Sequence, residues 1–118
     1  MAGAPLAGDS APEEYLQVFT TTEKRTDAEN LARVLVEKRL AGCVQIVGPI
    51  ASTYRWQGKI EAAQEWLCLI KTSRSLYEDL EAAIKEAHRY ETPEIVAVPI
   101  VAASEDYLEW LAAELGGR

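Results

Sequence analysis

Two runs of strand-type residues meet at Gly58, and their length limits what this chain can fold into. Gly58 supplies the positive φ that a tight turn needs, and period-2 sequence leads away from it on both sides. The reading is a long β-hairpin with Tyr54, Arg55, Trp56, Lys59 and Ile60 at its tip. Pairing Trp56 with Ile60 sets Tyr54 opposite Ala62 on the same face and Arg55 opposite Glu61 on the other, an aromatic face backed by an ion pair.

Strands of about 12 residues on each side of Gly58 span roughly 40 Å, whereas helices of about 14 residues span roughly 20 Å. The hairpin outruns the body that should cover it. Leaving Tyr54, Trp56 and Ile60 in water forfeits about 300 to 500 Å² of apolar burial, on the order of 8 to 12 kcal/mol before association costs. A partner chain is the expected cover. The competing reading curls the hairpin back over its own sheet, with edges still to protect.

The rest of the chain supplies the body. With 118 residues and 48% hydrophobic content, one domain with one core is expected. Residues 1–12, rich in Ala, Gly, Pro and Ser, read as a disordered leader, and the single domain as 13–118. From Tyr15 to Thr21 runs a strand, then Thr26 and Glu29 at capping-box spacing open a helix. Its stripe is Ala28, Leu31, Ala32, Leu35 and Val36, with Gly42 as the C-terminal cap. The hairpin's first strand starts at Cys43 and bends at Gly48 and Pro49. Its return strand, Ile60 to Thr72, is apolar on both faces from Trp66 to Ile70 and so is central. Ser73 or Ser75 caps a second helix (Leu76, Leu80, Ala83, Ile84, Ala87) that ends near His88. Glu94 to Val101 is a strand that Pro99 assigns to an edge or bulge. Ser104 caps a last helix carrying Tyr107, Leu108, Leu111 and Leu115, stopped by Gly116 and Gly117. The order β-α-β-β-α-β-α describes an α+β, ferredoxin-like sandwich with its helices on one face of the sheet.

A net charge of −7 repels nucleic acid and anionic lipid, so neither nucleic acid nor membrane is an expected partner. The start of the chain has neither a basic cluster nor an apolar run, and no window reaches transmembrane length, which makes a cytoplasmic location the expectation. Cys43 and Cys68, both in apolar strand-like sequence, are expected to be free thiols.

Several segments resemble the CutA, or divalent-cation tolerance, family. They are Thr20 and Thr21 ending the first strand, the run Leu40, Ala41, Gly42, Cys43, Val44, and Tyr54, Arg55, Trp56 with Gly58 and Ile60. Glu65 through Lys71 and Thr72 follow, then His88, Tyr90, Glu91, Pro93, Glu94 and Ile95. Arg89 departs from the pattern, standing where the family usually has proline. The resemblance implies a tight homotrimer with hairpins pairing onto neighbouring subunits, binding of copper and other divalent cations, a role in metal tolerance, and a likeness to the PII signalling trimers.

Chemistry is sparse. His88 is the only histidine, so a strong zinc or copper site must recruit other ligands. The candidates are Glu91 and Glu94, the thiols Cys43 and Cys68, and Tyr90; the plainer readings make His88 a helix-end residue meeting the dipole and the cysteines small core residues. Tyr54 and Trp56 are either a ligand platform or interface, and Arg55 either an anion contact or an ion-pair partner. Lys71 and Thr72 are placed in an intersubunit cleft with Glu94 by strand polarity. No nucleophile–base pair or phosphate-binding glycine loop is present, so catalysis is not expected.

Overall fold

A computed structural model describes residues 13–116 of the chain; the expected leader and Gly117 lie outside them. The elements are β1 (Tyr15–Thr22), α1 (Arg25–Glu37), β2 (Cys43–Trp56), β3 (Lys59–Ser73), a 3-10 turn (Arg74–Leu76), α2 (Tyr77–Ala87), β4 (Val96–Pro99) and α3 (Glu105–Glu114). The four strands form one antiparallel sheet in the order β2-β3-β1-β4, the expected ferredoxin-like topology. Pro99 sits in edge strand β4, which pairs only with β1, so its missing N–H breaks no ladder.

Alternation along β1 sorts side chains to two faces. Leu16, Val18 and Thr20 point to the helix side, where Cys68 and Ile70 of β3 join Ala28, Leu31 and Leu35 of α1 and Leu80, Ala83 and Ile84 of α2 in the core. Each fully buried aliphatic side chain there contributes about 1.5 to 3 kcal/mol. A second cluster of Leu76, Leu111 and Leu115 docks α3 with Tyr15, Leu40 and Tyr107. Here Gly42 matters, because a Cβ at that position would run into the Leu111 side chain.

Three helix ends differ from expectation. The capping box at Thr26 does not form: α1 starts at Arg25 with Lys24 as its cap, and Glu29 instead pairs with Arg25 at 3.0 Å. Gly42 does not cap α1, since Arg39 takes the left-handed conformation (φ 58°) and its guanidinium donates to the Glu114 carbonyl at 2.9 Å. Neither Ser73 nor Ser75 caps α2; the intervening 3-10 turn puts Leu76 in that position, and the two hydroxyls lie 3.2 Å from each other. Ser104 does cap α3, accepting from the Tyr107 N–H at 3.2 Å.

The hairpin register also differs, by one residue. Gln57 and Gly58 both have positive φ (52° and 81°), a two-residue turn, so Trp56 pairs with Lys59, Arg55 with Ile60 and Tyr54 with Glu61. A one-residue slip exchanges faces. Ile60 therefore lies with Arg55 on the face opposite Tyr54 and Trp56, and the Arg55–Glu61 ion pair is absent. As expected at Gly48 and Pro49, the ladder is interrupted: Val47 pairs with Leu67 but Ile50 with Glu65. Beyond that point, 50–56 and 59–65 pair only with each other, because β1 reaches no further than Trp66.

Gly48 lies against the face of Trp66, where a Cβ would stand 2.5 Å from a ring carbon. Gly48→Ala should therefore cost about 1 to 3 kcal/mol in denaturant unfolding through displacement of the indole; an unchanged midpoint would show that the ring has room to move.

Candidate functional site

At the end of β1 farthest from its start, the open face of the sheet turns into a cleft of about 660 Å³. Its floor is Thr21 of β1, Glu65 of β3, and Ser52, Tyr54 and Trp56 of β2. Its outer wall is the irregular connection between α2 and β4, which contributes Tyr90, Glu91, Thr92 and Glu94. Three carboxylates and two exposed aromatics line it, and no basic side chain does. Its electrostatic preference is for cations.

Glu65 is the unusual group. Only 7% exposed, it sits at the sheet position that continues Leu67 and Leu69, and its Oε2 accepts from the Tyr90 hydroxyl at 2.7 Å. A buried carboxylate is costly without such a donor. Tyr90 is held well above the ordinary phenol range, first by its own desolvation and then by the bond and charge of Glu65.

His88 follows α2 as its cap and ties the connection to the sheet. The Tyr90 backbone N–H donates to Nδ1 at 3.1 Å, which assigns the proton to Nε2, and Nε2 donates to the Thr21 carbonyl at 2.6 Å. Both ring nitrogens are engaged, so His88 orients Tyr90 in this arrangement and offers no lone pair to a metal. Its imidazole also stacks at 4.8 Å from the Tyr90 ring. The helix-dipole reading gives way to a strand carbonyl.

The candidates divide accordingly. Tyr54, Trp56, Tyr90, Glu91 and Glu94 meet in the cleft; Arg55 and Ile60 face the other way. Within one chain Lys71 pairs with Gln17, four residues or about 13 Å along β1 from Thr21, and donates to Gln45 at 2.8 Å, away from that chain's own Glu94. Cys68 is buried in the core and Cys43 is half-buried at the start of β2 beside Tyr107; both are free thiols. Among the described residues, no three His, Cys, Asp or Glu side chains converge to hold a metal ion. Sequence reading passed over Glu65 as a site residue, although a lone acid on the alternation of an apolar strand signals a buried partner.

Burial pushes the Cys68 thiol from 9.0 up to about 11. The unfolded thiol loses its proton first, so stability is fully present below pH 9 and falls as the pH rises to about 11, by on the order of 2 to 3 kcal/mol. Cys68→Ala should flatten the slope of stability against pH across that window; an identical slope would assign it to other groups. Tyr90→Phe should lose about 1 to 3 kcal/mol at neutral pH by stranding the Glu65 carboxylate, as read by chemical denaturation.

The profile of the family described as CutA1 divalent ion tolerance protein matches residues 16–114. The divalent-cation tolerance protein CutA of Thermus thermophilus is 42% identical over 99 residues, covering 84% of this chain and 96% of that one. Protein CutA, chloroplastic, of Arabidopsis thaliana is 43% identical over 94 residues, 80% of this chain but 52% of that one, so this chain spans about half of the plant relative. Among solved structures, CutA from Xylella fastidiosa superposes with a TM-score of 0.84 at 39% identity, covering 86% of this chain and 97% of that chain.

Proposed function

This chain belongs to the CutA1 divalent ion tolerance family, and from that premise we propose that it works as a homotrimer that takes up divalent cations at the acidic cleft. The observation that carries the reading is Glu65, a buried carboxylate with one protein donor, in a cleft shared with Glu91 and Glu94 and lined by no basic side chain. Carboxylate and phenol oxygens suit hard divalent ions, and for any given set of such ligands copper(II) binds tightest in the first-row series. Copper is the first ion to test. The described residues of one chain bring too few ligands together, so the coordination is completed by a neighbouring subunit.

The trimer is supported by what the fold leaves uncovered. All three helices keep to one side or one end of the sheet, and the other face presents Phe19, Val47, Leu67, Leu69, Val96 and Val98. On the opposite face of the hairpin Ile60 is 63% exposed, and on this one Tyr54 (44%) and Trp56 (45%) extend the patch. A contiguous apolar surface of this kind marks an interface. The hairpin that outruns its own domain reaches a neighbour.

A second reading has its own support. A cleft of about 660 Å³ is far larger than a bare ion needs, and Tyr54 and Trp56 offer aromatic faces beside carboxylates and the Ser52 and Thr92 side chains. That combination suits a small organic cation, and a trimer carrying one between subunits would serve as a regulator in the manner of the PII proteins.

Titration calorimetry with copper(II) on the wild type and on Glu65→Gln tests the first reading: the variant should bind at least about tenfold more weakly, and equal affinity would remove Glu65 from the site. Light scattering should give three times the 13.0 kDa chain mass. Trp56→Ala should shift that assembly toward monomer, and a wild type that scatters as a monomer would overturn the trimer.

A further inference from the structure

Three consecutive side chains in the α2–β4 connection reach three different elements. His88 bonds the Thr21 carbonyl of β1, Tyr90 bonds Glu65 of β3, and between them Arg89 Nε donates to Asp27 Oδ1 of α1 at 3.0 Å. The next residues, Glu91, Thr92 and Glu94, form the outer wall of the cleft. We propose that the Arg89–Asp27 pair is the clasp that holds this wall in its binding position, which makes Arg89 a positioning residue for the cation; the proposal rests on the cleft reading above.

The clasp differs from an ordinary surface pair. An ion pair between two exposed side chains contributes little. Here the Arg89 side chain is 64% exposed but that of Asp27 only 17%, and Asp27 Oδ2 is buried with no hydrogen-bond partner. Among the described residues, Arg89 is the one cationic partner of that carboxylate. Removing the guanidinium leaves a largely desolvated charge unpaired, a far heavier loss than at an exposed site. Asp27 is also a firm anchor, since it precedes Ala28, a fully buried core residue of α1. The seam between this helix and the start of the connection encloses only about 10 Å³, room for one water at most, so residues 87–90, which lead into the wall, rest directly on the helix.

The other two ties cannot do this work alone. Tyr90 donates to Glu65, the carboxylate that a bound cation draws on, so binding weakens that tie. His88 reaches the sheet from the helix end, before the wall begins, and its second bond goes to Tyr90 itself. The connection has no strand ladder or helical turn of its own, so its local opening is governed by the side-chain ties. Arg89 is the tie that lies outside the cleft and is independent of what fills it.

Hydrogen exchange read by mass spectrometry on the full chain, together with copper(II) titration, tests this. In Arg89→Ala, amides of residues 88–95 should exchange about tenfold faster while those of β1, β3 and α2 hold their protection, and copper should bind several-fold more weakly. Asp27→Asn should reproduce both effects, and Arg89→Lys, which keeps the charge, should restore most of each. Unchanged exchange at 88–95 in Arg89→Ala overturns the clasp, as does faster exchange spread over the whole chain, which marks a general stabilising contact. Faster local exchange with unaltered copper affinity overturns the positioning role. If the wild type takes up no copper, the metal reading of the cleft fails, and the exchange pattern still decides whether the clasp holds the wall.

Discussion

The structure depends on the pairing of β3. Over Leu67–Lys71 this strand is bonded to β1 on one side and β2 on the other, and over its first half it has β2 alone. One continuous 15-residue strand thus belongs to two environments. Its inner half carries Cys68 and Ile70 into a dry core between sheet and helices; its outer half runs past every helix in a two-stranded ribbon. A ribbon of that length is not stable by itself in water and must draw its order from the sheet behind it and from whatever packs on it. The cleft lies where the two halves meet, so its floor inherits the rigidity of the sheet while its wall does not.

Much of this was legible in the sequence because period and punctuation agreed. The apolar stripes of α1 and α2, the doubly apolar run around Cys68 and the proline in β4 each point to one place in one topology. What failed was finer. The helix starts at Thr26 and Ser73 were inferred from side chains able to cap, but competing local contacts set the ends: Glu29 pairs with Arg25 one turn back, and a 3-10 turn intervenes before α2. Gly42 looked like a cap and proved to be a clearance, a role that depends on Leu111, nearly seventy residues away. Turn type is likewise invisible when Gln57, not usually left-handed, precedes the glycine.

The site was half legible. Tyr54, Trp56, Tyr90, Glu91 and Glu94 were named from the sequence, yet what unites them is Glu65, hidden in a strand that otherwise reads as core. Local sequence has no way to announce that a tyrosine 25 residues on will satisfy it. His88 drew attention as the sole histidine, and its role here is to fix a backbone and an aromatic neighbour. Arg89, conspicuous as a departure from the family pattern, found a partner in Asp27 on the opposite side of the connection.

The irregularity at Gly48 and Pro49 acts as a parity switch. Between the Val47–Leu67 and Ile50–Glu65 pairs β2 advances three residues while β3 advances two, so even-numbered positions of β2 replace odd-numbered ones on the open face. With an unbroken ladder, Thr53 and Arg55 would take the places of Tyr54 and Trp56 on the open face, and a guanidinium would enter the cleft in place of two aromatic rings. A single inserted residue therefore sets the address of every β2 side chain between the bulge and the turn, and with it whether this surface receives a cation or turns it away.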